Sequence, residues 1–288
     1  MAGGGLVTAD AAAVDRCVAV LRAGPAGLAS DIDGTISAIA PTPGEAFVDA
    51  AARAALARLA ARLAVVAVVS GRSAAVAAEM VGLPGLLYVG NHGMEQLRDG
   101  AARDHPGAAG AVDGVAAALA EIADGLAGTP LAGVAIIENK RLTGTVHYRL
   151  AESQVAARER LAPLVAAAAE RHGLRVTEGR AILELRPDVV VNKGTALAGL
   201  VRGQGLRGFV FLGDDATDVD GFEALAALRA EGVATLSVGV AGPETPRRVL
   251  DTADLTVPGV AGCAALLTAG ADALDAAAGE ADGGPAGR

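Results

Sequence analysis

Asp31-Ile32-Asp33-Gly34-Thr35 places two carboxylates at i and i+2. On an extended segment such residues project to the same side. Carboxylates crowded this way favour a hard cation, or let their pKa values separate into acid and nucleophile roles. Gly34 permits close backbone approach to a bound oxyanion. Alone, an Asp-x-Asp-Gly run is more often a solvated turn. A second acidic run, Gly213-Asp214-Asp215-Ala216-Thr217-Asp218, holds three acids that repel unless something positive sits among them. Helix capping accounts for one of the three. Ser70-Gly71-Arg72 offers a hydroxyl and backbone N–H groups suited to a phosphate oxygen, although by itself Ser70 reads as an ordinary N-cap. Lys193 follows Val189-Val190-Val191 and opens a helical pattern. It is one of only two lysines in the chain, with Lys140. Lysine is a compact point charge where arginine is a wide planar fork. In this arginine-rich background the few Lys, Asn and Tyr residues all fall in 88–91, 139–148 and 192–193.

Each of these groups sits at the tip of an apolar run. Leu28–Ile32, the β-branched run before Ser70, Leu86–Gly90, Gly208–Leu212 and Ala234–Val240 read as strands buried on both faces, because they are continuous rather than alternating. Helical patterns fall between them at 10–22, 45–62 (with Phe47, Leu56 and Leu59 on one face), 73–80, 193–201, 219–230 and 244–251, before a last strand at 255–257. Alternating β and α predicts a doubly wound, Rossmann-like parallel sheet, whose strand tips converge on one crevice. The pattern changes after about residue 105. A helix at 111–127, a hairpin of 134–139 with 144–149, a helix at 151–171 and a hairpin about Gly179 predict a small α+β insert. The expected division is 1–106 and 191–288 for the core and 107–190 for the inserted cap domain. The tail after Gly270 reads as helix fraying into disorder.

The chain has 288 residues, 52% hydrophobic and 20% charged, with a formal charge of −9. This is enough for a sizeable core and argues against disorder. The apolar excess is mostly alanine. No stretch is expected to reach the ~20 residues that span a bilayer, since Leu255–Ala271 is interrupted by Pro258, Gly259 and Gly262. The start, MAGGGLVTAD, shows no signal-peptide pattern. Cys17 and Cys263 form no metal cluster or disulfide framework and read as reduced thiols in the cytoplasm. The acidic balance, the absence of Trp and the scarcity of aromatics exclude a general nucleic-acid binder.

Taken in order and context, the four tips resemble the motifs of the haloacid dehalogenase-type phosphatase superfamily. Within it the chain is similar to the trehalose-6-phosphate phosphatases, on DIDGTISAIAPTPGEA at 31–46, VGNHGME at 89–95, IENKRLTGTVHYR at 137–149 and GRAILELRPDVVVNKGTAL at 179–197. The family usually shows an acid directly after its last motif Asp; here Val219 stands there, with Asp220 next.

The resemblance implies Asp31 as a nucleophile that forms an aspartyl-phosphate and Asp33 as general acid and then base. It implies Mg²⁺ held by Asp31, the Asp33 carbonyl and Asp214, with Asp215 and Asp218 orienting waters and Lys193. Ser70, Gly71 and Lys193 would cradle the phosphoryl oxygens. The cap would read the sugar through Glu138, Lys140, Arg149 and Glu184, with Asn91, His92 and Gly93 lining the core side. Without the resemblance, Glu138, Lys140 and Arg149 read as a solvated face with weak cross-strand pairs, and His147 and Tyr148 as hairpin packing. The partner implied is a small sugar phosphate, with trehalose-6-phosphate synthase a possible pathway partner and the monomer the expected state. The motifs leave open a phosphatase for sucrose-phosphate or mannosylphosphoglycerate, a non-catalytic sugar-phosphate-binding regulator, and a phosphomutase.

Overall fold

Strands buried on both faces alternate with helices along the first hundred residues of this computed structural model, which describes residues 9–282. The run is α1 (Ala11–Leu21), β1 (Ala26–Ser30), α2 (Ala50–Ala60), β2 (Val65–Val69), α3 (Ala74–Val81) and β3 (Leu87–Gly90). Each helix begins at a side chain that accepts from its first turn: Asp10, Asp49 and Ser73. The Asp49 cap starts α2 five residues later than the helical periodicity predicts. Phe47 therefore lies outside the helix and is exposed rather than on its apolar face. The chain continues into β4 (Glu95–Arg98) and β5 (Ala101–Asp104), to which the hydrophobic pattern assigns no element. The signal was Asp99-Gly100, both at positive φ, the turn chemistry that favours a two-residue hairpin. The short charged strands beside it carry no apolar alternation.

A separate unit, Arg103–Val190, contains α4 (Val112–Leu126), β6 (Ile136–Asn139), β7 (Gly144–His147), α5 (Gln154–Arg171), β8 (Leu174–Gly179) and β9 (Ile182–Pro187). Its four strands form an antiparallel sheet in the order β6-β7-β9-β8. One face packs Val146, Leu183 and Leu185 against Leu119, Ile122, Leu161 and Val165 of the two helices. Side chains alternate across a strand, so the other face carries Glu138, Thr145, His147 and Glu184.

From Val191 the first unit resumes: α6 (Lys193–Gly203), β10 (Gly208–Gly213), α7 (Ala216–Ala230), β11 (Ala234–Ala241), α8 (Arg247–Thr252), β12 (Leu255–Pro258) and α9 (Gly259–Asp282). The sheet order is β12-β11-β10-β1-β2-β3-β4-β5, parallel from β12 to β3 and antiparallel at β3–β4. Alternate strand residues feed two cores. Leu28, Val66, Val68, Val210 and Leu212 meet α1, α2, α3 and α9. Ala29, Val65, Ala67, Phe209 and Phe211 meet α6, α7 and α8. Both faces are thus covered, and the sheet is doubly wound. The chain leaves β1 toward β2 and β3 on one side and returns at β10 toward β11 and β12 on the other. This makes the β1/β10 junction the topological switch point.

The C-terminal part corrects the sequence reading. Gly259–Gly279 is a continuous helix long and apolar enough to cross a membrane by length and composition, because Pro258 and Gly259 stand at its start rather than within it. Cys263, Ala264, Leu266, Leu267 and Ala271 of α9 are spent on the first core, and Arg58 of α2 and Arg62 just beyond it pair with its Asp275. Helix persists through Asp282 where fraying was expected after Gly270. The readings made on residues 1–8 and 283–288 lie outside the described residues. Burial raises the thiol pKa of Cys17 to about 12 and raises that of Cys263 as well, so both are inert thiols.

Candidate active site

Asp31 follows directly on β1 and Asp214 directly on β10, adjacent strands at the switch point. The Asp31 N–H donates to the Leu212 carbonyl at 2.9 Å, so the ladder continues into the site and fixes the aspartate against its neighbour. The carboxylates of Asp31, Asp214 and Asp218 lie within 4.8 Å of one another, all buried. Lys193, the first residue of α6, is buried among them; its Nζ donates to Asp31 Oδ1 at 2.9 Å and to Asp218 Oδ1 at 2.6 Å. The Asn192–Thr195 capping box holds the start of α6 and thereby the lysine.

Asp218 has a second task. Its Oδ2 accepts from the backbone N–H groups of Asp214 (2.9 Å) and Asp215 (2.8 Å), the capping box that opens α7 at Ala216. Both Asp218 oxygens are thus engaged, Oδ2 with the loop that presents Asp214 and Oδ1 with Lys193. Thr35 donates to Asp214 Oδ1 at 3.0 Å. Gly34 sits at φ +96°, and a Cβ there would fall 2.1 Å from Asp214 Oδ2, so only glycine lets this carboxylate reach the Asp31 loop.

The electrostatics follow from this crowding. Burial raises the Asp31 pKa well above the usual carboxylate range. Lys193 opposes that rise, and Asp218 and Asp214 add to it. Burial by itself would push Lys193 down, but Asp218 and Asp31 more than offset it and raise its pKa. Lys193 is therefore a permanent cation. Three carboxylates and one ammonium sum to a formal −2 when all are ionised. An all-oxygen donor set with that excess fits a hard divalent cation.

Asp33 points elsewhere. Its two oxygens accept from Arg72 Nε and NH2, both at 2.7 Å, a bidentate pair that turns the carboxylate away from the Asp31 cluster. Nothing in the local pattern around Arg72 marks this role, because its partner lies 39 residues away in the chain.

The 70–72 and 91–93 loops are tied together. The Asn91 N–H donates to the Arg72 carbonyl and the His92 N–H to the Ser70 carbonyl. Asn91 and His92 both occupy left-handed backbone, at φ 49° and 56°, an unfavourable pair of conformations for non-glycine residues. The fully buried Asn91 carboxamide donates to Glu95 Oε1 (2.9 Å), and the same oxygen accepts from the Ala74 N–H of α3 (2.6 Å). Asn91 and Glu95 thus build the loop, while the His92 ring lies on Gly71, where a Cβ would come within 2.6 Å of it. A Cβ at Gly93 would come to 3.0 Å from Val191, Asn192 and Ala196. Ser70 is not the helix cap, since Ser73 fills that place; the Ser70 hydroxyl accepts from the Arg72 N–H at 3.2 Å. Glu95 was missed because nothing local marks a glutamate opening a charged strand.

In the smaller unit, Lys140 and Glu184 are buried together, with Nζ 3.2 Å from Oε1. This is not a solvated face. Arg186 Nε approaches the other Glu184 oxygen at 3.9 Å. Glu138 Oε2 meets His147 Nε2 at 2.8 Å, which gives His147 a polar task beyond hairpin packing. Arg149 lies just beyond β7, partly exposed.

The sheet has the fold seen in haloacid dehalogenase-like hydrolases. The chain superposes on a haloacid dehalogenase-like hydrolase from Bacteroides thetaiotaomicron with a TM-score of 0.58 at 13% identity, over 87% of this chain and 98% of that one. It superposes on the C-terminal domain of the C. albicans trehalose-6-phosphate phosphatase with a TM-score of 0.72 at 20% identity, over 93% and 99%. The trehalose-phosphatase family profile matches residues 29–248, and the chain belongs to that family. It is 43% identical over 215 residues to the trehalose-phosphate phosphatase of Mycobacterium avium (strain 104), covering 72% of this chain and 53% of that protein. The chain thus spans about half the length of the curated relatives it matches.

Proposed function

We propose that the chain is a Mg²⁺-dependent phosphatase that hydrolyses trehalose 6-phosphate to trehalose and phosphate through an aspartyl-phosphate on Asp31. The observation that carries this reading is the meeting of Asp31, Asp214 and Asp218 around the buried Lys193 at the switch point. Family membership favours trehalose 6-phosphate as the substrate. The two buried thiols suit a reducing compartment such as the cytoplasm. We assign residues 107–190 to a cap domain and the flanking segments to a hydrolase core.

In this mechanism Asp31 attacks phosphorus in line, and the sugar oxygen leaves. Lys193 neutralises phosphoryl charge and holds the Asp31 carboxylate in register. Ser70 and the Gly71 N–H bind the remaining phosphoryl oxygens. Asp31, Asp214 and the Asp33 carbonyl would hold Mg²⁺, with Asp215 and Asp218 acting behind them. When bound, the ion would stabilise the ionised form of Asp31 and the charge on the phosphoryl oxygens. Asp33 leaves the fork of Arg72, takes up a proton from solvent and gives it to the leaving sugar oxygen, then takes a proton from the water that cleaves the aspartyl-phosphate. Asn91 acts through Glu95 to hold His92 and Gly93 in place. Glu138, Lys140, Arg149 and Glu184 read the sugar, with charged groups matched to its hydroxyls.

Phosphate release with Mg²⁺ from trehalose 6-phosphate, sucrose 6-phosphate, glucose 6-phosphate and mannosylphosphoglycerate tests the proposal. A strong preference for trehalose 6-phosphate is expected. Preference for another member would keep the chemistry and replace the substrate, and binding without release would point to a regulator. Glu184→Gln keeps the volume beside Lys140 and removes the charge. Loss of a charge-assisted hydrogen bond should raise KM for trehalose 6-phosphate by about 10-fold or more. Equal losses on trehalose 6-phosphate and p-nitrophenyl phosphate would take Glu184 out of the sugar site.

A further inference from the structure

Thr145 lies at the centre of the polar face of the smaller unit's sheet. It is directly opposite Glu138 on one side and Glu184 on the other. It is fully buried, and its Oγ1 has no hydrogen-bond partner. Strand preference does not explain the hydroxyl, because valine is as β-branched, fits the same volume and carries no polar atom to leave unsatisfied. Its neighbour Val146, on the packed face, shows the apolar choice. The groups around Thr145 are those that read polyols. Glu184 accepts from Lys140 at 3.2 Å and lies 3.5 Å from the Thr143 hydroxyl, and Glu138 meets His147.

We infer that Thr145 is a specificity-determining residue whose hydroxyl bonds a sugar hydroxyl of the disaccharide phosphate. The inference rests on the substrate reading proposed above. A hydroxyl both donates and accepts, as does each hydroxyl of a sugar. Two carboxylates accept only, so a hydroxyl between them can donate to one and still accept from the ligand. Because Oγ1 is enclosed, the flanking glutamates must turn for the ligand to reach it. That movement would take Glu184 off Lys140 and free both for the sugar. The hydroxyl thus carries its desolvation cost in the ligand-free protein and recovers it in the complex.

Thr145→Val tests this in the whole 288-residue chain. The readouts are Tm without ligand and the ratio of kcat/KM for trehalose 6-phosphate to that for p-nitrophenyl phosphate. Removing an unsatisfied buried hydroxyl should raise Tm by about 2 °C. The ratio should fall about fivefold, the scale of one neutral hydrogen bond. A Tm rise with the ratio inside about twofold of wild type would mark Thr145 as a strand residue only, and would overturn the inference. If Thr145→Val fails to fold, Thr145→Ser and Thr145→Ala differ by the hydroxyl alone. A higher ratio for Ser supports the role, and equal ratios overturn it. If the wild-type protein itself shows no preference for trehalose 6-phosphate, the substrate reading falls and takes this inference with it. A normal wild-type preference with an indifferent Thr145→Val overturns only the present inference.

Discussion

Asp31→Asn is expected to lower phosphate release from trehalose 6-phosphate by on the order of 10⁴-fold or more, the scale seen when a nucleophile is removed. The carboxamide matches the carboxylate in shape, and its oxygen can still accept from Lys193, which now sits 2.9 Å from Oδ1. What disappears is the charge that attacks phosphorus and helps to hold the cation. The fold should not suffer. Asp31 is buried beside Asp218 and Asp214, and its raised pKa records how much burial and those neighbours disfavour its ionised form. A neutral isostere removes that cost, so Tm should hold or rise while turnover vanishes. Sugar-phosphate binding, measured by calorimetry, should largely survive. Residual turnover above about 1% of wild type would remove Asp31 from the nucleophile role, since the drop expected is far larger.

Lys193→Met should fail in both respects. Methionine preserves the length of the side chain and removes the ammonium that meets Asp31 and Asp218. Breaking a buried pair by deleting one partner costs about 3–5 kcal/mol. For a chain of this size that lowers Tm by roughly 5–10 °C. The cause is the carboxylates left behind rather than the bond lost. The double variant Lys193→Met with Asp31→Asn should therefore be more stable than Lys193→Met alone, a non-additivity expected of residues in one network. Turnover of the single variant should fall by on the order of 10²–10³-fold, comparable to losing one positioned donor at a reacting centre. Denaturant melts of the three variants decide the matter. A Lys193→Met protein as stable as wild type would show that the cluster does not depend on its cation.

The parts of this protein legible in its sequence are those that depend on local chain chemistry. A strand covered by helices on both faces is apolar at most positions, so β1, β2, β10 and β11 stand out as runs. A polar residue just past such a run must lie at the sheet's edge. This is why Asp31, Ser70 and Asp214 are legible in the sequence, whereas Lys193 opens α6 after residues 188–192, which form no strand and leave Val190 exposed, so the expected apolar tip before it is not there. The β4–β5 hairpin and the late start of α2 escaped because turn and cap chemistry at Asp99-Gly100 and Asp49 outweighed hydrophobic pattern there.

Pairings across long stretches of chain were decided only by tertiary structure. Lys193 finds Asp31 at a separation of 162 residues and Thr35 finds Asp214 at 179. The direction in which Asp33 points is set by Arg72, and the Asn91–His92 backbone by Glu95. No local spacing encodes these partners, because each is chosen by which strands lie side by side and which loops meet at their ends. The residue types specified what chemistry the chain could do. The burial that raises Asp31, keeps Lys193 charged and leaves the Thr145 hydroxyl without a partner came from packing, since a group's desolvation depends on everything that surrounds it.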